Sequence, residues 1–283
     1  MIGLIAHSNK PDAPKVVRAL VNALEARGAR YLLESQTAGL AGLSSPHSER
    51  DLAARCRVLA VMGGDGTILR LVHNLGPNLR PVFGINIGSL GFLTCTGSRD
   101  IERAAESLAR KDYVLSPRTL LRGELVAGGS RRKFYALNDI VISRGERSQL
   151  VKVSVRLDGG PFTEYNADGL IVATPTGSTA YALSAGGPIL VPGCGSHVIT
   201  PICPHVLTNR STVVSERAII EARVGRGGQQ VFVTVDGQDR AAMGAGDSLR
   251  ISRSRRILPL AMLPDRPFPE VLRQKLKWSG SNV

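Results

Sequence analysis

Apolar residues in the first third of the chain alternate between two patterns. Ile2–Ala6 and Val58–Met62 are unbroken apolar runs of the kind buried on both faces in a parallel sheet, and Tyr31–Leu33 and Val82–Ile85 are shorter ones. Between them Val17, Leu20, Val21 and Leu24 recur at helical spacing over Pro14–Arg27, with Gly28 as a stop. Glu49–Arg55 and Ile101–Lys111 read as further helices. Another follows Gly63-Gly64-Asp65-Gly66-Thr67, through Ile68, Leu69, Leu71 and Val72. This β-α-β alternation predicts a doubly wound α/β sheet.

Near Ser116-Pro117 the period drops to two. Thr119–Val126 and Phe134–Ile142 flank Gly128-Gly129-Ser130 as a hairpin. Val151, Val153, Val155 and Leu157 alternate with polar residues up to a Gly159-Gly160 turn. Short strands follow at Leu170–Ala173, Ala218–Val224, Val231–Val235 and Leu249–Ser252. The expected fold is an α/β domain over 1–116, then a mostly antiparallel, sandwich-like β domain over 117–263. A tail over 264–283 carries a helix, Glu270–Trp278, that packs back on the first domain.

Composition narrows the class. With 43% hydrophobic and 21% charged residues the chain reads as a folded globular protein. No apolar run approaches the ~20 residues of a membrane-spanning helix, and Met1–Ala6 reads as a strand rather than a secretory leader. Cys56, Cys95, Cys194 and Cys203 show no CxxC spacing, which argues against a disulfide framework or zinc site and for a cytoplasmic setting. The net charge of +13 either keeps the surface soluble or attracts anions. With 4% aromatics and no nucleic-acid motif, nucleotides are favoured over nucleic acid.

Two stretches carry chemistry. In Gly63-Gly64-Asp65-Gly66-Thr67 a buried strand feeds a glycine-rich turn into a helix N-terminus, where backbone N–H groups meet phosphate. An aspartate there repels phosphate, but makes sense as the acceptor of a proton from a nucleophilic hydroxyl. A left-handed turn with Asp65 as a helix cap would use the same residues without chemistry. Arg70 either reaches back to a phosphate or lies on a solvated helix face. The second stretch, Asp168–Pro188, runs from a strand into a turn dense in hydroxyls and glycines. Tyr181 there either lies against a base or sits in the core. Walker A, HExxH, GxGxxG and GxSxG motifs are absent.

These stretches, with Gly88-Ser89-Leu90-Gly91-Phe92-Leu93-Thr94, Leu137-Asn138-Asp139, Ile199–His205 and the ending Lys275-Leu276-Lys277-Trp278, occur in the order seen in bacterial NAD kinases. The chain resembles that family over nearly its whole length. The GGDG turn alone is shared with lipid kinases and phosphofructokinases, so a lipid or sphingoid-base kinase is the alternative reading. That alternative expects a hydrophobic cleft and a membrane anchor.

The resemblance implies an activity and its residues. Phosphoryl transfer from ATP, or polyphosphate, to the 2′-hydroxyl of the adenosine ribose of NAD would give NADP. Asp65 would be the base, and Gly63, Gly64, Gly66 and Thr67 would hold the phosphate donor. Gly66, Arg70, Phe92, Asn138, Asp139, Asp168, Thr176, Thr179, Ala180, Tyr181, Ser184, Asp236 and Gln238 would line the dinucleotide. Gln149 and Asn166 fall at positions that vary within the family. Asp139 stands where Glu is commoner, one methylene shorter. Mg²⁺ would arrive with the donor phosphates, with no protein metal site. A homodimer or homotetramer with sites near subunit interfaces is implied, with no nucleic acid or membrane partner.

Overall fold

The computed structural model describes residues 1–88, 91–145, 149–225 and 231–278. The chain divides into two compact units: Met1–Pro117 with Leu258–Val283, and Arg118–Ile257. In chain order the first stretch holds β1 (Ile2–Ala6), α1 (Ala13–Glu25), β2 (Tyr31–Leu33), α2 (Ser35–Ala41), α3 (Glu49–Arg55), β3 (Val58–Gly63), α4 (Asp65–Leu75), β4 (Val82–Asn86), β5 (Thr96–Gly97) and α5 (Ile101–Arg110). Next come β6 (Val114–Ala127), β7 (Ser130–Ala136), β8 (Asp139–Arg144), β9 (Val151–Leu157), β10 (Gly160–Ala167), β11 (Gly169–Ala173) and α6 (Tyr181–Ser184). The remainder is β12 (Ser196–Ile202), β13 (Thr212–Ser215), β14 (Ile220–Val224), β15 (Val231–Val235), β16 (Asp239–Met243), β17 (Ser248–Met262) and α7 (Phe268–Leu276).

In the first unit β4, β3, β1 and β2 lie side by side and parallel, and the end of β17 joins β4 through Leu260↔Val82 and Ala261↔Phe83. Every residue of β1, β3 and β4 is buried, as a sheet covered by helices on both faces requires. The doubly wound reading therefore holds. The helix α2, absent from the hydrophobic pattern, is set by the Glu34 carboxylate, which accepts from the Gln36 and Thr37 amides.

The second unit is antiparallel. One sheet runs β13-β12-β11-β8-β15-β16. Facing it are β10, β9, β14 and the first part of β17, with the β6–β7 hairpin joined to β17. Leu121, Phe134, Ile142, Val153, Val172, Val233 and Ile251 share the core between the layers. The other face of the first sheet buries Ile171, Ala173 and Val198 against Ala182 and Leu190.

Three expected elements differ. Phe134–Ile142 is two strands, β7 and β8, broken at Leu137-Asn138, because the Asp236 carboxylate takes the backbone N–H groups there. The β9–β10 turn is made by Asp158 and Gly159, at φ 50° and 82°, rather than by Gly159-Gly160. The strand expected at Leu249–Ser252 extends over fifteen residues as β17. Among the described residues no helix is long and apolar enough to cross a membrane.

Candidate active site

The glycine turn is shaped by close packing. A Cβ on Gly63 would lie 2.3 Å from Thr67 Oγ1, so only glycine lets Thr67 fold back over the strand end. Thr67 Oγ1 in turn accepts from the Gly64 amide at 3.3 Å. Gly64 is the helix cap in an extended conformation (φ −138°, ψ −172°), and Asp65 is the first helical residue. The left-handed turn capped by Asp65 is thus not the one that forms. No side chain caps α4, and while the Thr67 amide donates to the Gly64 carbonyl at 3.0 Å, the first turn keeps the positive end of the helix dipole that attracts anions. Gly66 is exposed.

The Asp65 carboxylate is tied to the segment after β4. Its Oδ2 accepts from the Phe92 amide at 2.8 Å and its Oδ1 from the Leu93 amide at 3.0 Å. A Cβ on Gly91 would lie 2.0 Å from Asp65 Oδ1, so that segment fits the carboxylate only as glycine. The Gly91 amide donates to Thr94 Oγ1 at 3.0 Å and closes the turn. Phe92 lies half-buried with its ring 6.4 Å from that of Phe268 in α7. Arg70 is directed to α3, with Nη1 3.2 Å from Glu49 Oε1. Ser89 and Leu90 of the matching motif lie outside the described residues.

A second cluster stands in the β unit. A cavity of about 390 Å³ is lined by Asn138, Asp139, Ala180, Tyr181, Thr234 and Asp236, among others. Asp236 sits at φ 49° in the turn from β15 to β16. Its Oδ2 accepts from Leu137 N at 2.7 Å, and its Oδ1 from Asn138 N at 2.8 Å and Asp139 N at 3.0 Å. This carboxylate therefore holds the backbone of the Asn138-Asp139 pair. The Asn138 Oδ1 is buried with no hydrogen-bond partner, an acceptor left unsatisfied in a residue that lines the cavity. Asp139 is 6% exposed, and burial with the nearby Asp236 charge raises its carboxyl to about 7.

The hydroxyl-rich loop backs this pair. Thr174 Oγ1 donates to the Leu137 carbonyl at 2.6 Å and accepts from the Gly177 amide at 3.0 Å. A Cβ on Gly177 would lie 2.1 Å from the Asn138 carbonyl oxygen. Thr179 Oγ1 donates to the carbonyl of buried Thr176 at 3.0 Å. Tyr181 is 47% exposed at the cavity rather than in the core, and Ser184 ends α6 in solvent. Gln238 is exposed just past the Asp236 turn. Gly91, Gly177 and Thr174 were not among the expected site residues. Their signal was the spacing of Gly91 and Gly177 inside the two motifs.

Three expected contacts are not among the residues that line the cavity. The Asp168 carboxylate accepts from Arg144 Nε at 2.8 Å, next to Gly169, which pairs with the cavity-lining Ser143 of β8. Asn166 is exposed on β10, and its carbonyl accepts from the His205 amide at 2.8 Å. Gln149 is exposed beside residues 146–148, which lie outside the described ones.

Comparison with known proteins decides the family. The ATP-NAD kinase N-terminal domain matches residues 2–113, and the ATP-NAD kinase C-terminal domain matches residues 137–263. The NAD kinase of Syntrophotalea carbinolica is 38% identical over 279 residues, 98% of each chain. That of Geotalea daltonii is 39% identical over 278 residues, again 98% of each. The chain belongs to the NAD kinase family. Solved structures agree. A yeast NADH kinase complexed with NADH superposes with a TM-score of 0.88 at 25% identity, covering all of this chain and 89% of that one. An NAD kinase from Archaeoglobus fulgidus in complex with ATP gives 0.76 at 25% identity, covering 99% of this chain and all of that one. Membership of the NAD kinase family makes the chain a phosphotransferase, and the lipid-kinase alternative finds no support.

Proposed function

We propose that this chain transfers the γ-phosphoryl group of ATP, or the terminal phosphoryl of polyphosphate, to the 2′-hydroxyl of the adenosine ribose of NAD, giving NADP. The observation that carries this is Asp65, held by the Phe92 and Leu93 amides at the uncapped start of α4. A carboxylate offers about four acceptor positions, so two remain to take the hydroxyl proton. As the ribose oxygen attacks, its proton passes to Asp65, the new O–P bond forms, and the bond to the leaving phosphate breaks with its electrons on that phosphate. The N–H groups of Asp65 and Gly66 at the start of α4 balance the donor's charge.

Asn138 Oδ1 accepts from a ribose hydroxyl, Asp139 meets the adenine side, and Tyr181 lies against the base. Thr176, Thr179, Ala180 and Ser184 build that wall. Asp236 positions Asn138 and Asp139 through their amides, and Gln238 borders the same turn. Gly66, Phe92 and Arg70 are further contacts of this reading to the dinucleotide, for which Arg70 would leave Glu49. Asp168, with Gln149 and Asn166 near it, addresses the nicotinamide end.

Magnesium fits as a hard cation carried by phosphate oxygens and water, with Asp65 the one carboxylate of the turn. When carried in with those phosphates it would offset their negative charge. A homodimer or homotetramer with sites near subunit interfaces accords with the exposure of Tyr181, Val191 and Leu207. A cytoplasmic location accords with four free thiols.

The deciding assay is purified protein with NAD, ATP and Mg²⁺, read as NADP formed. NADP as acceptor should give nothing, since its 2′ position is occupied. AMP should react poorly, because it lacks the remote half whose binding positions the hydroxyl. No NADP formed from NAD with either donor would reject the reading.

A further inference from the structure

The tail of the chain returns to the α/β unit as α7, and spacing sets the face it presents. Phe268, Val271, Leu272 and Lys275 recur at i, i+3, i+4 and i+7, so they share one side of the helix. Val271 is 3% exposed and anchors that side. Pro269 stiffens the first turn, Asp265 pairs with Arg103, and Arg266 lies 3.7 Å from Asp100. The helix is therefore held at several points besides Phe268.

Phe92 lies across this face. Its ring stands 6.4 Å from that of Phe268, tilted by 37°, and Lys275 Nζ lies 5.8 Å from its centroid. Both separations are those of favourable contacts to an aromatic ring. Among the described residues, α7 supplies both of these partners of the Phe92 ring.

The backbone of Phe92 carries one of the two amides that fix the Asp65 carboxylate, and the two are secured differently. Leu93, which donates to Oδ1, is 2% exposed. The chain after it is bound into the core by buried Thr94 and by the Cys95 amide, which donates to the Gly84 carbonyl at 3.0 Å. Phe92, which donates to Oδ2 at 2.8 Å, is half-buried, and its ring rests on α7. The direction of that amide therefore depends on where α7 holds the ring. A misplacement of about an ångström at a reacting group is enough to cost roughly 10²-fold in rate.

We propose that Phe268 is a positioning residue for phosphoryl transfer: through the Phe92 ring it fixes the amide that aims the Asp65 carboxylate at the attacking hydroxyl. The proposal rests on the reading of Asp65 as the base. It gives the tail helix a part in the reaction that neither the glycine turn nor the cavity supplies.

The test uses the full chain with Phe268→Ala and Phe268→Leu, and with Phe268→Ala placed in Phe92→Ala and Asp65→Asn backgrounds. Arg273→Ala, exposed on the same helix, is the control, and thermal melts confirm folding. Phe268→Ala should lower kcat by roughly tenfold at saturating NAD and ATP, with the KM for ATP within about twofold of the wild type. Phe268→Leu, which restores apolar bulk, should recover most of that loss, and Arg273→Ala should match the wild type. Phe92→Ala should lose at least as much, and adding Phe268→Ala to it should cost nothing further. Nor should Phe268→Ala slow the residual turnover of Asp65→Asn, which no longer uses the carboxylate. Hydrogen exchange at the Phe92 amide reads the same link without turnover. It should quicken by about threefold or more in Phe268→Ala while the Leu93 amide is unchanged. Unchanged kcat, losses that add in full in both backgrounds, or unchanged exchange at Phe92 would each overturn the proposal. If the wild type formed no NADP, the reading of Asp65 as the base would fall, and the exchange rates would still decide whether α7 fixes the Phe92 amide.

Discussion

The glycine turn and the cavity of the β unit are built on different principles. In the turn, missing side chains do the shaping. Gly63 gives room to Thr67, Gly91 gives room to the Asp65 carboxylate, and two backbone amides hold that carboxylate. In the cavity, a side chain shapes the backbone, because Asp236 collects three successive amides and leaves the Asn138 Oδ1 buried and free to accept. Two amides and the close approach of Gly91 fix the Asp65 carboxylate, which suits a group that must meet a reacting atom. Side-chain-held parts are tuned by burial and charge, which suits recognition. Damage to the turn should therefore appear in turnover, and damage to the cavity in affinity and pH response.

The sharpest test of that division is Asp65→Asn. The amide keeps the shape but cannot take the proton, so turnover at saturating NAD should fall ~10²–10⁴-fold with the fold intact. Near-normal turnover would remove Asp65 from the chemistry. Next comes Gly91→Ala, whose new methyl would occupy the space of Asp65 Oδ1. Displacing the carboxylate by about an ångström should cost roughly 10²-fold in kcat, with the KM for NAD little changed. A rise in KM alone would blur the contrast between the two regions.

On the cavity side, Asn138→Ala should raise the KM for NAD more than that for ATP, by an amount equivalent to roughly 1–3 kcal/mol. A change confined to ATP would reassign Asn138. The effect on stability rather than turnover concerns Asp139, raised by burial and Asp236 from 3.8 to about 7. Between those values the folded chain holds a proton that the unfolded chain has released, so this residue lowers stability as pH rises through that window. Asp139→Asn should therefore gain on the wild type at pH 8 relative to pH 5, by up to a few kcal/mol in denaturant melts. An identical offset at both pH values would show that the carboxyl is not so raised.

Legibility in the sequence followed the same divide. Continuous apolar runs announced β1, β3 and β4 because a parallel sheet buries both faces of each strand. Alternation announced β9 for the opposite reason. Helix α2 was hidden because its signal is one capping carboxylate at Glu34 and not a periodic face. Strand β17 was truncated because its buried positions slip phase after Ile251, through Ser254 to Leu258, and Pro259 interrupts it. The motifs named the residues of the turn and the cavity. They could not show that Asp236 serves the backbone, that Arg70 faces Glu49, or that Asp168 pairs with Arg144, because these depend on partners far along the chain.

The length of β17 also sets an order of events on the ribosome. The α/β unit is left at Pro117 and rejoined at Leu258, so β4 waits for its neighbour Leu260-Ala261 until the whole intervening unit has been made. At about 5–20 residues per second, the wait is on the order of ten to thirty seconds. During that time β5 covers Ile85 and Asn86 on that side, but Val82 and Phe83 lack their native partner and are open to wrong ones. A nascent chain stalled before Leu258 should therefore carry a finished β unit beside an unfinished sheet, the stage at which a chaperone that shields strand edges has most to do.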